Sequence, residues 1–349
     1  MDFNLTETQN DLRALAAGLL AKEAAQRRLD AHDRSGAPYD EELWRAMERA
    51  GLLGVCVPEE AGGAGLGAVE MAVVLREVGA HAAPAPALPT LVAQLTLARH
   101  GSRIPDGVLT AALKAPRRAI TAVNDGGWRL TGRTPTVLYA EQAEAILIPA
   151  DQGLFLITQP WIAPDTATIP GRPEGLTAIP EPTSTGEPAA TLVLDDVPAE
   201  YVAGPEAPAL LRATATAAIA AQASGVLAGA LKLTTEHVRT RRQFGRALAE
   251  FQAVTMQVAD VYIAARALDV AMWSGAWRLA TGLPADEDLG VAAYHVGQAA
   301  TALHTCQHLH GGLGLDVTYP LHRYFAQAKH LSHLLGGADA QLDLIGALL

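Results

Sequence analysis

Cysteine is almost missing from this chain: Cys56 and Cys306 are the two among 349 residues. A chain of this length can bury a core without covalent staples, so the pair reads as free buried thiols rather than a disulfide framework. Charge is also sparse, at 18% of residues, and it leans acidic, with 26 Lys and Arg against 37 Asp and Glu for a net charge of -11. No Lys/Arg run is longer than a pair such as Arg117-Arg118 or Arg241-Arg242. Such a surface repels nucleic acid and anionic lipid, and neither is expected as a partner. No apolar run approaches the roughly 20 residues of a membrane span. The opening MDFNLTETQNDL is polar and acidic, unlike a secretory signal. The expectation is a soluble cytoplasmic protein.

What the chain does have is apolar residues, 50% of the total, which marks it as globular. Residues 1 to about 115 read as an N-terminal helical domain. Thr6 and Gln9 form a T-x-x-Q capping box ahead of Leu12, Leu15, Leu19 and Leu20 at helical spacing. A second helix is expected from Asp40 to Ala50, with Leu43, Trp44 and Met47 on one side and Gly51 ending it. Near Pro116 the pattern changes to short alternating segments, RAITAV, WRLTG, AILIPA, LFLIT and ATLVLDDV, with a proline-rich stretch from Pro160 to Pro188. Residues 116–204 therefore read as a β middle domain. From about Ala209 four long amphipathic segments follow, 209–240, 249–281, 287–309 and 318–348, so residues 205–349 read as a C-terminal four-helix bundle. The fold class is mainly α with a β middle domain. It has no βαβ alternation, which excludes a Rossmann protein.

Several motifs have a plain reading beside a functional one. Gly63, Gly65 and Gly67 lie between helices, where a dinucleotide motif needs a preceding strand, so they read as a Gly-rich turn. His304, His308, His310, His322, His330 and His333 crowd the C-terminal part. His304 and His308 are one turn apart, but no carboxylate or thiolate completes a set, and no metal is expected. Gly311 and Gly312 in HLHGGLGLD serve either as a helix cap or as a place where backbone meets a large flat ligand. Arg241 to Arg246 concentrates three arginines, a glutamine and an aromatic at one helix junction.

Taken together, these segments resemble the acyl-CoA dehydrogenase family over nearly the whole chain. The resemblance is carried by MDFNLTETQNDLRALA, GLLGVCVPEEAGGAGLG at 51–67, RRQFGRALAEFQ at 241–252 and HLHGGLGLDVTYPLHRY at 308–324. It implies a flavoenzyme fold with a helical N-terminal domain, a β-barrel-like middle domain and a four-helix bundle. It also implies FAD bound across a subunit interface. On that resemblance Arg241 holds the pyrophosphate, Gln243 and Phe244 pack on the cofactor, and His308, Gly311 and Gly312 meet its other side. A guanidinium suits that role through bidentate bonds to phosphate oxygens.

The resemblance also marks what is missing. The family's base is a glutamate in one of two regions, and gap-free alignment puts Leu335 and Ala215 at those places. No Glu follows Glu287; Asp339, four residues out of register, is a weak candidate, and Glu206 lies more than two turns from Ala215. The Thr-Glu-Pro-x-x-Gly-Ser-Asp-like segment that cradles flavin and thioester in relatives is replaced by TAALKAPRRAITAVNDGGW, expected to pass from helix to strand. The pattern resembles the base-lacking subunit of heteromeric steroid-CoA dehydrogenases of actinobacteria. That implies an α2β2 assembly with a related chain carrying the glutamate, acting on an acyl-CoA. The alternatives are a self-sufficient flavoenzyme of the same fold, including a flavin monooxygenase, and a non-catalytic scaffold.

Overall fold

The computed structural model describes residues 3–114, 116–158 and 173–347. Part of the proline-rich stretch, residues 160–172, lies outside them. The chain opens with α1 (Glu7–Glu23), α2 (Gln26–Ser35), α3 (Glu41–Arg49), α4 (Ala68–Ala80) and α5 (Ala87–Arg99). The capping box at the head of α1 is formed, with Gln9 N–H donating to Thr6 Oγ1 at 3.2 Å and Thr6 N–H to Gln9 Oε1 at 2.9 Å. Asp40 caps α3 through Leu43 N–H, and Leu43, Trp44 and Met47 share its buried side. Helix α2 gave no apolar period to detect because only Leu29 is buried on it.

The middle of the chain contains β1 (Leu109–Ala111), β2 (Thr121–Asn124), β3 (Trp128–Leu138), β4 (Ala145–Ala150), β5 (Gly153–Thr158), β6 (Leu176–Glu181) and β7 (Ala189–Ala203). The hydrogen-bonded path is β1-β4-β5-β7-β3-β2, with β6 also on β7. Strand β1 begins ahead of Pro116, so TAALKAPRRAITAVNDGGW starts in a strand rather than in the expected helix. Its pairing is parallel to β4, Leu109 opposite Ala145, which the local pattern of a three-residue strand cannot announce. Strands β4 and β5 are apolar without alternation because both faces are covered. Helix α5 packs on β1, and the next helix touches β4 and β5.

That helix is α6 (Ala207–Thr240), followed by the two-residue strands β8 (Arg242–Gln243) and β9 (Arg246–Ala247), then α7 (Gln252–Thr281), α8 (Asp286–His310), α9 (Leu321–Leu334) and α10 (Gly337–Gly346). By length and composition α6 could cross a membrane, but 78% of its most apolar window is buried in the fold, as befits a core helix. It crosses α4 backbone to backbone. A Cβ on Gly225 would lie 1.8 Å from Arg76 O, and one on Gly79 would lie 2.0 Å from Gln222 O. The expected fourth bundle helix is two helices. Gly336 and Gly337 take φ of 84° and 83°, a conformation that ends α9 and that only glycine adopts freely.

Candidate functional site

Helix α6 stops at Arg241, where ψ swings to 123° while its N–H still donates to His237 O at 2.8 Å. The chain then turns back on itself, Arg242 opposite Ala247 and Gln243 opposite Arg246. The turn residues Phe244 and Gly245 sit at φ of 50° and 81°. Two positive φ values are what a tight two-residue hairpin turn demands. Glycine meets that demand without strain, whereas a bulky residue held there costs of order 1–3 kcal/mol, and such strain clusters at functional sites. Phe244 is nonetheless 92% exposed, its ring touching Phe251 edge-on at 6.3 Å.

The three arginines of this junction divide their work. Arg242 donates to Gly245 O at 3.2 Å, inside the turn. Arg246 lies 3.9 Å over the Phe251 ring. The guanidinium of Arg241 has no hydrogen bond or ion pair among the described residues, and Gln243 beside it is exposed.

The second segment lies at the same end of the bundle. Helix α8 ends at His310, and Gly311 at φ 60° leads into a 3-10 turn, Gly311–Leu315. A Cβ built on Gly311 or Gly312 would meet nothing within 4 Å, so crowding inside this chain does not account for Gly312. His308 is exposed on the last turn of α8. His310 stacks on His237 at 4.3 Å and 23°, which brings the hairpin and the glycine turn together. Its Nδ1 donates to Cys306 O at 2.8 Å, and its buried Nε2 has no partner among the described residues. Burial pushes both imidazoles below the ordinary histidine value, and for His237 the neighbouring His310 and Arg241 charges add to it.

The remaining histidines serve other contacts. His304 meets Phe325 edge-on at 4.8 Å, and His322 and His333 each bond a backbone carbonyl one turn earlier. Both cysteines are free and buried, and burial pushes the Cys56 thiol up to about 12.

The arrangement fits one half of a flavin dinucleotide site. An unpaired guanidinium suits a diphosphate, an exposed ring suits a planar partner, and two open glycines let backbone come close.

The two positions at which the resemblance expects a glutamate, Leu335 and Ala215, are apolar. Leu335 is the half-buried cap of α9. Ala215 is buried in α6 beside a cavity of about 180 Å³ between α6 and the sheet, where Arg212 and Asp151 are the charged lining groups. Asp151 already accepts from Ala122 N–H at 2.9 Å. Asp339, in the first turn of α10, and Glu206, at the head of α6, are both exposed.

One carboxylate escaped the sequence reading. Glu187, on the β6–β7 connection, faces a cavity of about 470 Å³ whose lining includes Asp33, His322, Arg323 and Gln327. Tyr139 Oη donates to its Oε1 at 3.2 Å, Thr185 Oγ1 to its Oε2 at 3.0 Å, and His330 Nε2 lies 3.8 Å away. Burial, then Glu187, pushes the Tyr139 phenol well up. Burial pushes His330 down, against the opposing pull of Glu187. Nothing in EPTSTGEPA marks this carboxylate, because its partners Tyr139 and His330 come from distant elements.

Comparison with known proteins agrees with this architecture. Residues 6–103 match the acyl-CoA dehydrogenase N-terminal domain, and residues 214–349 match the acyl-CoA dehydrogenase C-terminal domain. Acyl-CoA dehydrogenase FadE28 of Mycobacterium tuberculosis is 40% identical over 321 residues, covering 87% of this chain and 91% of its own. A variant of the Tcur3481–Tcur3483 steroid ACAD superposes with a TM-score of 0.89 at 39% identity, over 98% of this chain and 97% of that one. The ChsE4–ChsE5 complex from Mycobacterium tuberculosis does so with a TM-score of 0.89 at 32% identity, over 99% and 98%. A glutaryl-CoA dehydrogenase from Mycobacterium smegmatis in complex with FADH2 shares the fold, with a TM-score of 0.81 at 18% identity, over 99% of this chain and 95% of that one. The chain belongs to the acyl-CoA dehydrogenase family of flavoprotein oxidoreductases.

Proposed function

We propose that this chain is the FAD-lending, base-lacking subunit of a heteromeric acyl-CoA dehydrogenase that desaturates a steroid-derived CoA thioester. The observation that carries the reading is the contrast between its two half-sites. Arg241 is without a hydrogen bond or ion pair among the described residues and lies beside an exposed, strained Phe244, while Leu335 and Ala215 stand where the resemblance expects a glutamate.

In this reading Arg241 binds the pyrophosphate of a flavin seated against the neighbouring subunit. Gln243 and Phe244 cover it, and the open backbone at Gly311 and Gly312 closes on the other side with His308. The chemistry supplied by bound FAD is acceptance of the β hydride. The α proton must go to a carboxylate within hydrogen-bond reach, and that group is assigned to the partner. Helix α7 supports an interface, since Met256, Ile263 and Val270 recur every seven residues as an exposed apolar stripe beside exposed Tyr262. The relatives named for paired chains, ChsE4–ChsE5 and Tcur3481–Tcur3483, support the partner and the steroid substrate class.

The test is purification of the chain alone and with a glutamate-bearing relative from the same organism, with absorbance recorded at flavin wavelengths. The expected result is a stable α2β2 complex holding about one FAD per heterodimer and little flavin on the isolated chain. Full flavin loading and turnover by the isolated chain would overturn it. One observation favours a second reading, a self-sufficient flavoenzyme: Glu187 is a carboxylate facing a cavity with His330 behind it.

A further inference from the structure

We propose that His237 and His310 are positioning residues: as a neutral stacked pair they clamp the end of α6 to the end of α8, and proton uptake by the pair opens the clamp. The inference rests on the flavin reading above for its consequence, though not for its geometry. His237 lies in the last turn of α6, and its carbonyl accepts from Arg241 N–H at 2.8 Å and from Thr240 Oγ1 at 3.2 Å. A shift of His237 therefore moves the start of the hairpin that carries Arg241, Gln243 and Phe244. His310 is the last residue of α8 and directly precedes Gly311. The rings stack at 4.3 Å, so this aromatic contact adds to the packing of α6 on α8 at the point where the two halves of the lent site meet.

The clamp is built for neutral rings. His310 uses its Nδ1 hydrogen on Cys306 O and leaves Nε2 buried without a partner among the described residues, so a second proton there would have no acceptor. The charged and titratable surroundings do not help. From α6 the cation Arg241 opposes a charge on His237, and from α8 the Cys306 thiol is held neutral by burial. The Tyr319 ring, 5.3 Å from His310, is held neutral by burial and by Glu236. Of the nearby carboxylates, Glu236 raises the Tyr319 phenol, and neither Glu236 nor Asp316 hydrogen-bonds or ion-pairs with either ring of the stacked pair among the described residues. The folded form prefers both rings neutral, so the clamp is complete above about pH 6.5 and weakens as pH falls below that ordinary histidine value.

The first test needs no flavin. Amide hydrogen exchange of residues 241–247 and 311–315 is measured on the purified chain from pH 8 to pH 5.5, corrected for intrinsic exchange. Protection of both segments should fall with pH in the wild type. It should be low throughout in His237→Ala, and it should stay high with a weaker dependence on pH in His237→Phe, which keeps a flat ring and leaves His310 as the one titrating member of the pair. His310→Phe provides the reciprocal variant should His237→Phe fold poorly. The second test reads FAD retention by the complex. An aromatic pair is worth about 0.5–1.5 kcal/mol, so His237→Ala should weaken FAD binding about 2- to 12-fold. His237→Phe should restore it and make its pH profile shallower. An unchanged pH response in the Phe variants, or wild-type protection in His237→Ala, overturns the clamp. Loss of protection with no change in FAD retention keeps the clamp and overturns the assignment of Arg241 to flavin.

Discussion

Arg76 and Asp269 meet at 2.9 Å across 193 residues of sequence, tying α4 of the N-terminal domain to α7 of the bundle. The same carboxylate accepts from Ser224 Oγ of α6 at 2.7 Å and from Arg266 at 2.9 Å. Three helices thus converge on one side chain that is 7% exposed. A carboxylate that deep is tolerable only when its lone pairs are filled. The junction is therefore a place where the order of the helices is specified by polar pairing as well as by apolar contact.

Asp269→Ala should destabilise the chain by about 1.5–3 kcal/mol, the range for hydrogen bonds to charged groups. The figure stays below that of a fully buried pair because Arg76 reaches solvent with a quarter of its side chain. Asp269→Asn should cost less, since an amide oxygen in the place of Oδ1 still accepts from Arg76 and Ser224 and only the bond from Arg266 is lost. Urea unfolding monitored by far-UV circular dichroism decides it: the midpoint should move with little change of slope.

Gly225→Ala tests the backbone crossing of α4 and α6. With Arg76 O only 1.8 Å from the new methyl, neither helix can yield without shifting the other. Overpacking of this kind typically costs about 1–3 kcal/mol. Gly18→Ala is the matched control, an exposed site in α1 with no atom near the built Cβ, where helix propensity predicts a gain of about 0.5–1 kcal/mol. A neutral result at Gly225 would mean that the two helices are not in backbone contact.

These two sites show where sequence reading reaches and where it stops. Periodicity marks α1, α3, α7 and α8, because each buries one face against neighbours and its apolar spacing records that face, whereas α6, buried on every side from Ala217 to Leu227, is marked by its length and apolar content. Capping residues fix the starts of α1 and α3, because a side chain three residues away must satisfy a free N–H. It misses α2, which buries almost nothing, and β1, whose three residues gain meaning only from β4. The break after Leu335 was written in Gly336-Gly337, but two glycines are also tolerated inside a helix, so the letters alone do not decide. The hairpin at Arg241–Ala247 was legible as a group of unusual residues, and resemblance supplied its use. The stack of His237 on His310 and the triad of Tyr139, Glu187 and His330 were not legible, since each joins elements far apart in the chain.

Arg241→Ala should reduce FAD affinity of the assembled complex about 10- to 150-fold, the loss of a charge-assisted phosphate contact worth about 1.5–3 kcal/mol. Arg246→Ala is the comparison. Its guanidinium is committed to Phe251, so its removal should change hairpin stability by about 0.5–1 kcal/mol and flavin affinity little. Flavin titration followed by fluorescence quenching separates them. Equal affinities in the two variants would show that the free guanidinium is not the phosphate ligand.

The last expectation concerns turnover, and it follows from where the carboxylates are. A general base contributes about 10²- to 10⁴-fold and must reach the proton it removes. Leu335 and Ala215 cannot act as bases, and Asp339 and Glu206 are exposed on the outside of α10 and at the head of α6. Glu187 faces a cavity, but its two oxygens already accept from Tyr139 and Thr185. The isolated chain supplied with FAD and a steroid-derived acyl-CoA should therefore show little or no dehydrogenation. The complex with a glutamate-bearing partner should turn over, and Asp339→Asn and Glu187→Gln in this chain should each leave that rate nearly unchanged. Glu187→Gln is the sharper probe, because the amide keeps an acceptor for Tyr139 while losing the basicity. Robust turnover by the chain alone that disappears in Glu187→Gln would make it a complete enzyme with its base on the β6–β7 connection. Turnover confined to the complex, and abolished only by removing the partner's glutamate, leaves this chain as the half that binds without abstracting the proton.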